Sequence, residues 1–185
     1  MYNVEHQTRA GSGSAYYQAP ENMKLAKNFV LSELANTQGE KSLPMYLFSV
    51  YSERFNDLLQ AFRELYNSPI NPTSGYRQAG YNARVGGDPK SLHLKACACD
   101  FIDTYRKSEY FMFSTWLRVL SEAGVIGAIN IYNNEGYFRY HVEAFSDVYL
   151  GYTKSRIRVY TNRTKFNEYK QVYQPLGVEV VYAGN

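Results

Sequence analysis

Long apolar runs are missing from this chain: no stretch of about eighteen apolar residues occurs, so no segment reads as a membrane span. A large excess of either charge is missing too. Its 20 basic and 17 acidic residues leave a net +3, too little to make nucleic acid the main partner. Residues 1–19 are polar and rich in Gly, Ser and Tyr, without the apolar stretch of a secretory signal. The expectation is therefore a protein made in the cytoplasm. Cysteine is limited to Cys97 and Cys99, a spacing that is poor for an unstrained disulfide between them; free thiols suit a reducing interior. Histidine is limited to His6, His93 and His141. Neither an internal repeat nor a domain linker is apparent.

What is present is ordinary globular material. The 185 residues are 45% hydrophobic and 20% charged, enough for one domain with a real core that needs neither disulfide nor structural metal to fold. Nineteen tyrosines read mostly as half-buried strand and rim residues. Leu47, Phe48, Tyr51, Phe55, Leu58, Leu59, Phe62, Leu65 and Tyr66 form one helical stripe, which must end by Ser68, ahead of Pro69. A second amphipathic helix is predicted over 108–123, with Ser108 as N-cap and Gly124 as stop. Residues 98–102 read as a buried strand. Residues 125–132 and 137–143 form a hairpin about the turn 133–136. Residues 156–161 and 178–182 read as strands around a short helix at 165–172. Residues 21–35 are expected to hold a short helix, or a helix that becomes extended near 29–31, and 75–90 a long loop, which in a compact domain is usually functional or disordered. The fold class is α+β, an antiparallel sheet with packed helices. A loose arm (1–20), a core (21–143) and a C-terminal strand–helix–strand extension (144–185) are its expected parts.

One constellation carries chemistry. Two imidazoles and a carboxylate, from His93, His141 and Asp100, are a standard set of three protein ligands for a catalytic zinc. His93 and Asp100 are seven residues apart, which one regular strand would point to opposite faces. The chain must therefore turn between them. Taken on spacing alone, the competing reading is that these histidines are hydrogen-bonded structural residues.

The surrounding residues narrow the choice. SGYR at 74–77, Asn82, VGG at 85–87, SLHLKACACD at 91–100 and His141-Val142-Glu143 follow one another in order, and FVLSEL at 29–34 precedes them. Together, over about residues 28–143, they resemble the signature of the M15 metallopeptidases, the zinc D-Ala-D-Ala carboxypeptidase-like enzymes that include phage and bacterial murein peptidases. The resemblance implies a hedgehog/D-Ala-D-Ala-peptidase-like fold and a zinc ion held by His93, Asp100 and His141. It implies Ser91 as a substrate-binding motif serine, and Arg77 as the arginine that binds substrate or polarises its carbonyl. The activity implied is hydrolysis of the peptide stems of bacterial peptidoglycan, carboxypeptidase or endopeptidase, in the manner of an endolysin. A monomer acting on the cell wall after release is expected.

This sequence departs from that pattern in places. Ala96 stands where the family usually has glycine; if the position needs a positive φ, alanine is strained there by about 1 kcal/mol. Cys97 and Cys99 fill variable positions and read as small buried hydrophobes, with Cys99 as a zinc thiolate the rival reading. Phe138 stands where many relatives carry the glutamate that serves as general base. Glu143, which strand alternation places on the face of His141, is the preferred proton shuttle, and the alternative is that it orients a histidine. Glu135 lies six residues before His141, in the turn, and serves only if the chain curls back. A second functional reading follows: a metal-holding scaffold that has lost catalysis and acts as a cell-wall-binding or structural protein. The basic extension, with Lys154, Arg156, Arg158, Arg163, Lys165 and Lys170, either docks on an anionic wall or extends the sheet and covers its edge.

Overall fold

Two helices lay their apolar stripes on one face of a six-stranded sheet, and a row of polar strand residues stands on the other face. The computed structural model describes residues 16–17, 23–35, 43–44, 49–105, 107–134 and 137–184. Glu135, Leu47, Phe48 and most of the N-terminal arm lie outside the described residues. Near the start, β1 (Tyr16–Tyr17), β2 (Lys24–Ala26), β3 (Phe29–Val30), the single turn α1 (Leu31–Leu34) and β4 (Leu43–Pro44) make two short antiparallel pairs, β1 with β4 and β2 with β3. The helix expected over 21–35 is thus mostly a hairpin. Tertiary contacts decide it: the Asn28 N–H donates to Gln60 Oε1 (2.9 Å), Gln60 Nε2 donates back to Asn28 Oδ1 (2.9 Å), and Phe29 is buried in the main core.

Gln60 belongs to α2 (Val50–Tyr66), capped by Ser49, whose side chain accepts from the Ser52 N–H. It ends at Asn67, in the left-handed region at φ 52°, two residues ahead of Pro69, where the sequence requires. Phe55, Leu58, Leu59, Phe62 and Tyr66 of the stripe are buried, whereas Tyr51 and Leu65 at its margins are exposed. Next come β5 (Asn71–Ser74), the short α3 (Ala79–Arg84), β6 (Ala98–Ile102) and α4 (Glu109–Glu122). The segment expected as a plain loop over 75–90 therefore contains a helix. Ser108 caps α4 by accepting from the Phe111 N–H (3.2 Å), and Gly124 follows at φ +64°, as predicted.

β7 (Gly127–Asn134) and β8 (Tyr137–Ala144) form the hairpin, followed by α5 (Ser146–Leu150), β9 (Arg156–Val159), α6 (Arg163–Tyr173) and β10 (Glu179–Tyr182). The sheet order is β10-β9-β7-β8-β6-β5. The four strands β5, β6, β8 and β7 pair antiparallel; β9 adds parallel to β7, and β10 parallel to β9. Parallel neighbours need a crossover, which α6 supplies between β9 and β10. No helix among the described residues is long and apolar enough to cross a membrane.

Alternation sorts the two faces. Cys99, Val142, Ile129 and Ile157 are neighbours in register, as are Phe101, Tyr140, Ile131 and Val159; all eight are buried and lie in the main core. Beneath them, Phe62 packs on Phe101 (ring centroids 5.7 Å) and Phe113 on Tyr140 (6.4 Å). Most described tyrosines are half-buried or exposed, but five belong to the core: Tyr66, Tyr76, Tyr140, Tyr169 and Tyr173 are buried. The phenol tolerates this where its hydroxyl finds a partner. Tyr66 donates to Asp103, Tyr169 to Glu109, and Tyr173 to the Tyr110 carbonyl. On the opposite face, the same register aligns Asp100, His141, Asn130 and Arg158 in one row across β6, β8, β7 and β9.

Candidate metal centre

His93 reaches that row from outside the sheet. Ser91 starts a single 3-10 turn, Leu92–Lys95, its side chain accepting from the His93 N–H (3.4 Å). Ala96 then takes the left-handed conformation, φ 54° and ψ 33°, and the chain enters β6. This is the turn that the seven-residue spacing demanded. Alanine is strained by about 1 kcal/mol in that conformation, so Ala96→Gly is expected to raise stability by up to that amount, read as a higher midpoint in urea. A loss of about 0.5–1 kcal/mol, the entropic cost of glycine where alanine is unstrained, would show that the position is not strained.

The SGYR segment supplies the other half of the support. The Gly75 carbonyl accepts from His93 Nδ1 (2.6 Å), which turns Nε2 inward. A side chain at Gly75 is not tolerated, because its Cβ would fall 2.0 Å from the Leu34 carbonyl oxygen, to which Tyr76 N–H donates at 2.6 Å. Arg77 pairs with Asp100 Oδ2 and donates from Nε to Ser74 Oγ (2.8 Å). Asn82 and Gly87 close the neighbouring loop: Asn82 Nδ2 donates to the Asp88 carbonyl (2.9 Å), and a Cβ at Gly87 would meet Asn82 Oδ1 at 2.1 Å.

His93, Asp100 and His141 converge. Asp100 Oδ1 is 3.2 Å from His93 Nε2 and 2.8 Å from His141 Nδ1, and those two nitrogens are 3.1 Å apart. All three residues are buried, and their ligand atoms lie within 4.8 Å of one another, a group that could hold a metal ion. The donor set fits one. Each imidazole has its distant nitrogen held, His93 Nδ1 by Gly75 and His141 Nε2 by Glu143 Oε2 (3.0 Å), so one nitrogen of each is aimed at a common point. Fixing the far nitrogen is how metal-binding histidines are usually oriented.

Electrostatics point the same way. Burial opposes charge on Asp100, but hydrogen bonds from His141 and His93 outweigh it and hold its carboxyl well below the usual range. Burial pushes His93 down. It also works against a charged His141, yet the carboxylates of Asp100 and Glu143 on either side raise that imidazole to about 9. A position that retains a proton between two buried carboxylates is one where a cation is favoured, and metal binding there releases the proton.

Glu143 does not face the common point. Its carboxylate is turned to His141 Nε2, the nitrogen away from Asp100, and also accepts from Ser146 Oγ (3.0 Å) and Arg158 (3.0 Å). Burial raises its carboxyl, but these partners overcome that and depress it to about 2. Cys99 is wholly buried in the core and stands outside the three-residue group, on the face of β6 opposite Asp100; burial raises both thiols, Cys97 to about 12. Arg158, Asn130, Ser146 and Tyr152 escaped the sequence reading as site residues. The alternation of Arg156–Val159 marked a two-faced strand, but only its register beside β7 brings Arg158 to the site.

A cleft of about 920 Å³ opens over the group, lined among others by Arg77, Ser91, Asp88, Tyr132, Arg139 and Tyr160. A family model described as Peptidase M15 matches residues 27–132, more than half of the chain. The match takes in His93 and Asp100 and stops short of His141 and Glu143. No curated protein matches the chain.

Proposed function

The chain belongs to the peptidase M15 family, a family of metallo-enzymes, and from that premise we propose that it is a zinc-dependent peptidase hydrolysing peptide bonds in bacterial peptidoglycan stems, in the manner of an endolysin. The observation that carries the proposal is the convergence of His93 Nε2, Asp100 Oδ1 and His141 Nδ1, each imidazole anchored at its far nitrogen. Zinc held by these three would supply a Lewis acid and activate a water for attack.

The remaining tasks fall to the chain itself. Arg77 holds Asp100 and lines the cleft, which supports assigning its guanidinium to the negative charge that builds on a scissile carbonyl. Ser91 starts the turn that carries His93 and lines the same cleft, consistent with a part in substrate binding. Glu143 is assigned to orienting His141, in place of the proton-shuttle role favoured by sequence alone, because its oxygens are engaged by His141, Ser146 and Arg158. Glu143→Gln is accordingly expected to weaken zinc binding by roughly 10–100-fold, measured by competition with a chromophoric chelator. Undiminished zinc affinity with hydrolysis lowered roughly 10²–10⁴-fold would restore the shuttle role.

A metal-holding scaffold without catalysis is the second reading, favoured by Phe138 at the position of the usual glutamate and by the engaged oxygens of Glu143. Zymography on purified cell wall separates the two. Clearing that a chelator abolishes and zinc restores supports the peptidase; a zinc-loaded protein that clears nothing supports the scaffold.

A further inference from the structure

The row Asp100–His141–Asn130–Arg158 ends on a residue beyond the stretch that the family model matches. We infer that Arg158, supplied by β9, is a positioning residue of the metal centre: it clamps Glu143, and through Glu143 it fixes the ring of His141. The inference rests on the zinc reading above and extends the centre into the C-terminal segment.

The geometry is specific. Arg158 donates through one terminal nitrogen to Glu143 Oε1 (3.0 Å) and to the Tyr152 hydroxyl (3.0 Å), and through the other to Asn130 Oδ1 (3.1 Å). Asn130 and Arg158 are register partners on β7 and β9, so the backbone ladder fixes the base of the side chain while its fork spans both neighbours. Only a planar guanidinium with several donors makes these contacts together; an ammonium is a point charge. Glu143 is buried and uses its other oxygen on His141 Nε2. Its remaining partner, Ser146, is brought in where the chain reverses at Phe145, in the left-handed region at φ 64°. A carboxylate so held has one orientation, and the imidazole attached to it has one as well. Arg158 is thus not one of the solvated cations of a basic tail: its side chain is 15% exposed.

The test compares zinc affinity, by chelator competition, in the wild type, Arg158→Met, Arg158→Lys and Glu143→Gln, together with Arg158→Met in the Glu143→Gln background. Thermal unfolding of each metal-free protein is recorded alongside. Arg158→Met is expected to weaken zinc by up to the roughly 10–100-fold that losing an outer partner of a ligand brings, since it acts one contact further out, with Arg158→Lys in between. Once Glu143 is Gln, Arg158→Met should cost markedly less, because both changes act through the same carboxylate. Should Arg158→Met fail to fold, Arg158→Lys carries the test alone: affinity equal to the wild type overturns the inference. Equal zinc affinity in Arg158→Met, or a full and additive loss in the Glu143→Gln background, overturns it too, since a structural role moves the unfolding midpoint without that coupling. A wild-type protein that binds no zinc overturns the zinc reading and this inference together, whereas a wild type that binds zinc with an indifferent Arg158 overturns this inference alone.

Discussion

His141→Ala is expected to strip the metal from the centre and reduce hydrolysis to background, with a loss of affinity larger than the roughly 10–100-fold that follows removal of an outer partner. The change deletes one of three convergent ligand atoms, Nδ1 at 2.8 Å from Asp100 Oδ1. It also removes the ring shared by Asp100 and Glu143. Stranding a buried charge without any partner costs about 3–5 kcal/mol, enough to unfold many domains. Here that cost is avoided, because Asp100 keeps Arg77 and Glu143 keeps Arg158. The variant should therefore fold, and the loss of metal can be read as loss of a ligand. His93→Ala should behave alike, since Asp100 keeps Arg77 and His141, and the Gly75 carbonyl loses only a neutral ring N–H. Equilibrium dialysis against zinc, with circular dichroism as the folding control, checks both variants. Retention of wild-type affinity in either would remove that histidine from the centre.

Trp116→Ala is expected to have the largest effect on stability, about 3–5 kcal/mol, which for a chain of this size lowers the thermal midpoint by about 6–20 °C. Trp116 is fully buried, donates from Nε1 to the Ala128 carbonyl (3.0 Å), and meets Phe55 and Phe62 edge-on at 6.3 and 5.5 Å. One side chain thus joins α2, α4 and β7. Calorimetry of the metal-free variant measures the change without any contribution from bound metal. A fall of only a degree or two would mean that the helices are not fastened to the sheet through this residue.

The sequence made some of this legible and concealed the rest for identifiable reasons. The stripes of α2 and α4, their caps and the β7–β8 hairpin were readable because each is encoded locally, in periodicity and in single residues such as Ser108 and Gly124. The turn between His93 and Asp100 followed from counting, and the structure places it on Ala96, where φ is 54°. Residues 21–35 misled because their local preference yields to docking on Gln60 and the core. At the site, the three candidate ligands could be named because motif and chemistry agree. The role of Glu143 could not be decided, since alternation gives the face of a side chain but not which nitrogen of a neighbouring ring it meets. Arg158 was hidden more deeply. It lies 15 residues beyond Glu143 in the chain, which is no local spacing, and its place depends on β9 pairing in parallel with β7.

The metal content of the purified wild-type chain, determined by plasma emission alongside protein concentration, bears most directly on the central claim. About one zinc per chain, lost on dialysis against a chelator and taken up again from zinc solution, is the result expected of a centre built from His93, Asp100 and His141. A folded protein that carries no stoichiometric metal and takes up none when zinc is offered would contradict it.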